Sequence, residues 1–174
     1  KDLGAEDKFV RRKAAELLGE IGPPARSAVP ALIGALEDRD QQVWFNSAMA
    51  LAQIGPEAEE AIPALVKWLD GSKGQGERRA YRRQVWYRTA YALGRIGPAA
   101  IPSLVKALDD DKAFARSGAA KALGFIGSKA IEAAPQLAAK LGDSESEVRQ
   151  QSAEALGQIG PVAIPVILTA LSAP

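Results

Sequence analysis

The residues best suited to recognition chemistry are concentrated between Gly71 and Arg95. This stretch holds seven basic residues and one acidic residue, a local charge of +6 in a chain whose formal net charge is +1. Tryptophan and tyrosine occur in and beside the same stretch. Because Trp, Tyr and Arg most often carry the binding energy of protein interfaces, this composition is typical of a contact surface.

The candidates for partner binding are all aromatic residues or arginines: Trp44, Trp68, Arg78, Arg79, Tyr81, Arg82, Arg83, Trp86 and Tyr87. Trp44 and Trp86 occupy the same place in the repeat described below, so neighbouring helices would bring them about 10 Å apart. Two interpretations remain open for this group. The tryptophans either form an exposed patch or pack the base of an inserted loop, and the arginines either contact a partner or form a solvated helix face.

The sequence does not indicate a reaction centre. It contains no histidine and no cysteine, which removes the most frequent general base, the thiol nucleophile and two common metal ligands. Its serines have no base with which to form a catalytic triad. The acidic run Asp109–Asp111 could bind Ca²⁺, but acids that precede a helix more often cap it. We therefore expect no catalytic residue, no metal site and no cofactor.

An internal period predicts the elements that position these residues. The dipeptide Ile-Gly recurs five times, and eleven residues before each isoleucine stands an apolar leading residue: Val10, Val43, Val85, Ala115 or Val148. The positions four, seven and eight after each leading residue are small or apolar. Because these offsets share one side of an α-helix, each copy is predicted to contain a helix, named A, that ends at the glycine in a left-handed conformation.

A second helix, named B, is predicted from a proline five or eight residues after each glycine: Pro30, Pro63, Pro102, Pro135 and Pro165. Proline fits the first turn of a helix, and the residues at offsets 2, 3 and 6 from it are apolar. The two spacings predict two lengths for the A–B turn. The links from helix B to the next helix A carry acids suited to capping helix N-termini, namely Asp38, Asp40, Asp111 and Asp143.

The sequence thus predicts an all-α fold, an α-solenoid (an α–α superhelix) of about five helical hairpins in a single array over residues 1–174. The repeats are predicted at approximately 10–42, 43–84, 85–114, 115–147 and 148–174, and residues 1–9 look like the tail of a preceding repeat. We therefore expect the chain to be a section of a larger protein or complex.

The period breaks once, between Leu69 and Val85, where the link has 16 residues instead of seven. Its first half, residues 71–76, is typical of a turn. No helix-breaking residue follows that turn, so the third helix A is predicted to begin early. Residues 71–91 are therefore the best candidate surface for binding.

These repeats resemble the bacterial HEAT-like repeat family, including the short repeats of phycobilisome lyases. The segments ALGRIGPAAIPSLVKALDDD and ALGQIGPVAIPVILTAL carry the resemblance most fully, and it extends from Val10 to Leu171. The resemblance implies right-handed stacking of the hairpins, with B helices lining the concave side. It leaves the function open, because such repeats serve scaffolding, chromophore handling, protein transport and nucleic-acid processing.

The sequence favours a non-catalytic scaffold that binds a protein partner of acidic character. The expected contact surfaces are the concave helix-B face, the basic aromatic insertion at 71–91, or both. One alternative is a nucleic-acid-binding module in which arginines contact phosphates and Trp44 or Trp86 stacks on bases. Another, implied by the resemblance, is a tetrapyrrole-lyase-like protein. No apolar run is long enough to span a membrane, and the composition leaves the compartment open.

Overall fold

The protein is an all-α solenoid built from helical hairpins. The computed structural model describes residues 2–71 and 79–172. Within them the A helices are Lys8–Ile21 (α1), Gln41–Ile54 (α3), Arg79–Ile96 (α5), Ala113–Ile126 (α7) and Ser146–Ile159 (α9). The shorter B helices are Val29–Ala35 (α2), Ile62–Lys67 (α4), Ile101–Ala107 (α6), Ala134–Ala139 (α8) and Ile164–Ser172 (α10). This arrangement confirms the predicted hairpins.

A glycine follows every A helix, as the Ile-Gly period predicts. The five glycines have φ between 69° and 92°, where side chains are disfavoured. Their ψ values, from −135° to −165°, are not those of the left-handed helix that the sequence suggested. The chain leaves each A helix in an extended conformation that is almost restricted to glycine.

The A–B turns are short 3-10 segments of two lengths. They contain six or seven residues in the first, second and fourth repeats and three residues in the third and fifth. Each B helix then begins one residue before its proline. Both the two turn lengths and the proline in the first turn are therefore confirmed.

The hairpins stack through their A helices. Each A helix packs against the next A helix, and each of α2, α4, α6 and α8 packs against the A helix that follows it. A Cβ added at Gly19 would lie 3.1 Å from Ala50 Cα, and one added at Gly124 would lie 3.1 Å from Ala155 Cα. Glycine thus allows the helix backbones to touch, and the buried apolar side chains form one continuous core along the array.

Arginine–aspartate pairs connect consecutive repeats. Arg11 donates from Nε and Nη2 to the Asp38 carboxylate at 2.7 and 3.0 Å, and Arg116 donates in the same way to Asp143 at 2.8 and 2.9 Å. Nη1 of each arginine donates to two main-chain carbonyl oxygens in the link before its helix. The hydrogen bonds from arginine lower the pKa of Asp38 and of Asp143 because they stabilise the charged carboxylates.

The capping prediction is right for one of its four acids. Asp40 accepts hydrogen bonds from two main-chain amides of α3 at 3.0 and 3.1 Å. Asp38 and Asp143 instead accept the amide two residues further along their links, and their carboxylates pair with arginines. Helix α7, which follows Asp111, begins without a side-chain cap. The prediction is therefore wrong for these three acids.

Helix α5 is longer than the other A helices, with 18 residues instead of 14. Val85 is its seventh residue, whereas the leading residue is the third in each of the other four A helices. This confirms that the third A helix begins early, by about one turn. Residues 72–78, which include most of the predicted turn, lie outside the described residues.

In the described ranges, no single helix is long and apolar enough to cross a membrane. The pair Ser146–Ile159 and Pro161–Thr169, bent by 113°, passes that test by length and composition only. In this fold, Val148, Leu156 and Ala163 of the pair are buried inside the array.

Candidate functional site

The three tryptophans among the candidate residues are buried. Trp44, Trp68 and Trp86 are 0%, 2% and 5% exposed. The rings of Trp44 and Trp68 pack with centroids 5.2 Å apart, and Trp86 donates from Nε1 to the Phe114 carbonyl oxygen at 3.1 Å. The exposed-patch interpretation is therefore wrong for these residues, because a buried indole reaches neither a protein partner nor a nucleic-acid base. The tryptophans pack the interior instead.

The repeat explains why tryptophan is accommodated at position 44, although not at position 86, where the equivalent residue of the next link is Asp110. Trp44 and Trp86 stand where Arg11 and Arg116 stand in other repeats. Asp38 and Asp143, which accept those arginines, each stand five residues before the next leading residue. The equivalent residue after Trp44 is an alanine, Ala80. Because that position holds alanine and not an aspartate, an apolar ring packs at position 44 at lower cost than an unpaired guanidinium.

Tyr81 and Arg82 are partly buried on the added first turn of α5. The ring of Tyr81 lies 6.5 Å from that of Phe45, and the Arg82 guanidinium lies 5.0 Å from the Phe114 ring centroid. These contacts fix the start of α5 to its neighbours, so both residues contribute to packing. The side chain of Arg79 and the whole of Arg78 lie outside the described residues.

Among the described candidates, Arg83 and Tyr87 remain exposed, at 62% of the Arg83 side chain and 48% of Tyr87. Both line a groove of about 620 Å³, here called the α5 groove, whose lining residues are Met49, Arg83, Gln84, Tyr87, Arg88 and Tyr91. Met49 belongs to α3 and the others to α5. The groove therefore lies on the A helices, whereas binding through the concave helix-B face stays a prediction.

Aromatic neighbours hold the side chains of the α5 groove in place. Tyr87 and Tyr91 each make an edge-to-face contact with Phe125 of α7, with ring centroids 5.6 Å apart in both cases. The Arg88 guanidinium lies 4.3 Å from the ring centroid of Phe45. Side chains ordered in this way lose little conformational freedom when a partner binds, which favours affinity.

Met49, Gln84, Arg88 and Tyr91 were not among the individual candidate residues, although the last three lie inside the candidate range 71–91 and carried a signal. Gln84, Tyr87, Arg88 and Tyr91 have offsets 0, 3, 4 and 7 and therefore share one helix face. The charge run and the position of the tryptophans in the repeat pointed to the start of α5 instead. Met49 carried no comparable signal, because its place in the groove depends on how α3 packs beside α5.

A second depression of about 420 Å³ lies on the other side of Arg83, lined by Arg82, Arg83, Trp86, Ala113, Phe114, Ser117, Glu145 and Glu147. Arg83 Nη2 lies 3.6 Å from Glu147 Oε1, and both side chains are well exposed. Such a pair contributes little to stability. Glu145 and Glu147 offset the positive charge in this depression, whereas no acidic residue is among the described residues that line the α5 groove.

The α5 groove offers two guanidinium groups, two phenol hydroxyls, an amide and a thioether. These groups can donate hydrogen bonds to a carboxylate and pack against apolar side chains, but they include no general base that titrates near neutral pH. Across the part of the chain that the structure describes, no group of three or more acidic side chains is placed to hold a metal ion. The arrangement is therefore suited to recognition.

Comparisons with known proteins agree with the architecture. A family model described as HEAT repeats matches residues 2–85 and 75–137, and a model described as HEAT repeat matches residues 134–163. A search of curated proteins found no match.

Three solved structures illustrate the likeness. The complex of CpcE and CpcF of phycocyanin lyase from Nostoc sp. PCC7120 is 26% identical, with a TM-score of 0.57, and the match covers 99% of this chain and 68% of that chain. An engineered protein is 28% identical, with a TM-score of 0.51 and coverage of 97% and 82%. A designed armadillo repeat protein, 23% identical with a TM-score of 0.55 and coverage of 97% and 85%, shares the fold.

Proposed function

Because this chain belongs to the HEAT-repeat family, we propose that it works as a non-catalytic scaffold that binds a protein partner through the α5 groove. The observation that carries this proposal is the groove itself, about 620 Å³ in volume and lined by arginine, tyrosine and methionine side chains. Tyrosine and arginine are enriched among the residues that dominate interface energetics, and methionine is enriched in interfaces.

The charge of the groove favours an acidic partner segment. Arg83 and Arg88 supply two positive charges, with Arg83 also 3.6 Å from Glu147 on its other side, and no carboxylate is among the described residues that line the groove. Electrostatic complementarity of this kind steers association and selects among partners more than it adds affinity. We therefore propose that the partner presents acidic residues beside an aromatic or aliphatic side chain, which would pack between Met49 and Tyr91.

The absence of histidine and cysteine supports a non-catalytic function. A general base that acts near neutral pH would have to be a carboxylate, a lysine or a tyrosine with a strongly shifted pKa. Among the described residues, the groove lining contains neither a carboxylate nor a lysine, and Tyr87 and Tyr91 are its remaining groups of this kind. All the groups that line the α5 groove can take part in binding a partner.

A peptide-binding experiment tests this proposal. An array of 15-residue peptides would carry one aromatic residue flanked by zero to four acidic residues, and binding of the purified chain would be measured by fluorescence anisotropy. We expect affinity to rise with the number of acidic residues. Tyr87→Ala should weaken binding of the best peptide about tenfold or more, since truncation of a central interface residue costs about 2 kcal/mol or more.

Arg88→Gln is the matching test of the charge, and Arg95→Gln is its control. Both arginines lie on α5, but Arg95 does not line the groove. We expect weaker peptide binding for Arg88→Gln, unchanged binding for Arg95→Gln, and the same helical circular dichroism for both. Equal affinities for all three variants and the original chain would show that the partner does not bind in the α5 groove.

A further inference from the structure

Arg83 is shared between two surfaces of the protein. Its side chain lines both the α5 groove and the second depression of about 420 Å³, and no other described residue lines both. On the side of the depression, its Nη2 lies 3.6 Å from Glu147 Oε1. One guanidinium group therefore belongs both to the proposed binding site and to an ion pair within the chain.

The early start of α5 explains how Arg83 reaches Glu147 of α9, although α7 lies between the two helices. Arg83 corresponds to the first residue of each of the other A helices, but in α5 it lies on the second turn. The residue of α7 at this repeat position is Ala113, which lines the depression. Its small side chain leaves room beside the start of α7 for the contact between Arg83 and Glu147.

The contact between Arg83 and Glu147 is easily exchanged. Besides Arg83, the described polar partner of the Glu147 carboxylate is Gln151, whose Nε2 donates to Oε1 over a long 3.5 Å. The side chains of Arg83 and Glu147 are both well exposed. Because exposed ion pairs contribute little to stability, this pair can open without disturbing the array.

Arg88, the other guanidinium group of the α5 groove, is held in a different way. It lies 4.3 Å from the ring centroid of Phe45, and no described carboxylate pairs with it. A carboxylate that enters the groove therefore meets no described competitor at Arg88, whereas at Arg83 it meets Glu147. The two arginines of the groove are not equivalent for an acidic segment.

We propose that Glu147 is an internal competitor of the acidic partner segment: it holds Arg83 in the free protein and releases it when a partner carboxylate enters the α5 groove. This inference rests on the proposed function and adds its regulation. A partner carboxylate must displace Glu147 or share Arg83 with it, whereas a neutral segment needs neither. Glu147 thus sets how acidic a segment must be before it binds.

Glu147→Gln tests this proposal, and Glu145→Gln is its matched control. Both changes remove one negative charge from the same depression, but the described ion pair of Arg83 is with Glu147. Fluorescence anisotropy would measure the binding of two peptides of the array, the one with four acidic residues and the one with none. All variants should keep the same helical circular dichroism, because the carboxylates and Arg83 are exposed.

We expect Glu147→Gln to raise the affinity for the acidic peptide about two- to fivefold, as for loss of an exposed ion pair. The affinity for the neutral peptide should stay the same. Glu145→Gln should have a clearly smaller effect on the acidic peptide, since it removes a charge without freeing Arg83.

Arg83→Gln separates competition for Arg83 from general charge repulsion. If Glu147 acts by holding Arg83, then Glu147→Gln should give no gain in a chain that already carries Arg83→Gln. Repulsion between the Glu147 and peptide carboxylates does not depend on Arg83, so it would give the same gain in both backgrounds. We therefore expect equal affinities of the acidic peptide for Arg83→Gln and for the double variant.

Four results would overturn the proposal. Glu147→Gln could leave the affinity for the acidic peptide unchanged, or it could raise the affinity for the neutral peptide equally. Glu145→Gln could give the same gain, or the gain from Glu147→Gln could persist without Arg83. In each case Glu147 does not compete with the partner for this guanidinium group.

Tyr87→Ala and Arg88→Gln, measured with the same acidic peptide, separate this inference from the proposed function. If they weaken binding while Glu147→Gln does not strengthen it, the peptide binds in the α5 groove and only the inference about Glu147 is wrong. If no peptide binds, or if neither variant weakens binding, the proposed function is wrong, and the inference that rests on it is wrong as well.

Discussion

Arg11 and Arg116 hold their aspartates with the same geometry, whereas Trp44 and Trp86 occupy the same position in neighbouring repeats. The residue there decides whether two repeats are joined by an ion pair or by apolar packing. The repeat pattern shows that tryptophan replaces arginine at this position. It does not show whether the tryptophan side chain is buried or exposed, because tryptophan is common both in interiors and at interfaces. Trp44 is buried because its ring packs on that of Trp68, which is distant in sequence.

Arg116→Ala should lower the free energy of unfolding by about 1.5–3 kcal/mol. The variant loses two charged hydrogen bonds to Asp143, whose side chain is 7% exposed and would be left without its main partner. Urea unfolding followed by circular dichroism measures the loss. Arg149→Ala is the matched control, because the same repeat position has no described carboxylate partner there. Equal losses in the two variants would show that the carboxylate contact contributes nothing.

The Asp40 carboxyl predicts how stability changes with pH. The hydrogen bond from Arg12, assisted by two main-chain amides, lowers its pKa from 3.8 to about 2 in the folded protein. A pKa lowered by folding stabilises the fold above the unfolded value and loses that effect as the carboxyl is protonated. The contribution should therefore be complete above about pH 4.5 and disappear as pH falls toward 2.

Melting temperatures measured between pH 2 and pH 6 check this expectation. Asp40→Asn should be less stable than the original chain at pH 6, and the difference should shrink on acidification. Asp38 and Asp143, whose pKa values are also lowered, keep part of the acid sensitivity in the variant. A difference that stays constant across the range would mean that the ionised Asp40 does not stabilise the fold.

Helix α5 has a buried face and an exposed face. Val85, Trp86 and Thr89 are buried against the neighbouring helices, while Arg83 and Tyr87 face outward. Its mixed polarity follows from this division, so a simple hydrophobic pattern does not reveal which exposed residues line the α5 groove. The early start of α5 was predictable from the lack of a helix breaker, whereas the groove depended on the neighbouring α3 and α7.

Gly118→Ala tests how closely α7 approaches α5. In an open helix this change stabilises by about 0.5–1 kcal/mol. At Gly118, however, the new Cβ would lie 2.8 Å from Trp86 Nε1 and 2.9 Å from Leu69 Cδ2, and both side chains are buried. We expect a net loss of about 1–3 kcal/mol, as in other overpacked cores.

Chemical denaturation of Gly118→Ala beside Gly34→Ala provides the comparison. Gly34 lies in α2, and a Cβ there would meet no described atom within 4 Å. The Gly34 variant should therefore gain stability while the Gly118 variant loses it. A gain in both would indicate that α5 and α7 can move apart without cost.

At the scale of the whole molecule, the array is a one-dimensional stack whose architecture was largely readable from the sequence. Ile-Gly, the following proline and the apolar offsets predicted both helices of every hairpin and both turn lengths. Each of these features shapes its own repeat or the contact with an adjacent repeat. A short stretch of sequence is therefore enough to predict the hairpins. The α5 groove was less predictable, because Met49, Tyr87 and Tyr91 become neighbours or gain their support only through packing between helices.

The measurement that tests the central proposal most directly uses Met49, the single methionine of the chain, which lines the α5 groove. A sample labelled with methyl-¹³C methionine gives one NMR signal for this side chain. We predict that the acidic peptide with the highest affinity shifts this signal, and that Tyr87→Ala raises the peptide concentration needed by about tenfold. If the peptide binds by anisotropy while the Met49 signal stays unchanged, the partner binds elsewhere on the array and the proposal is wrong.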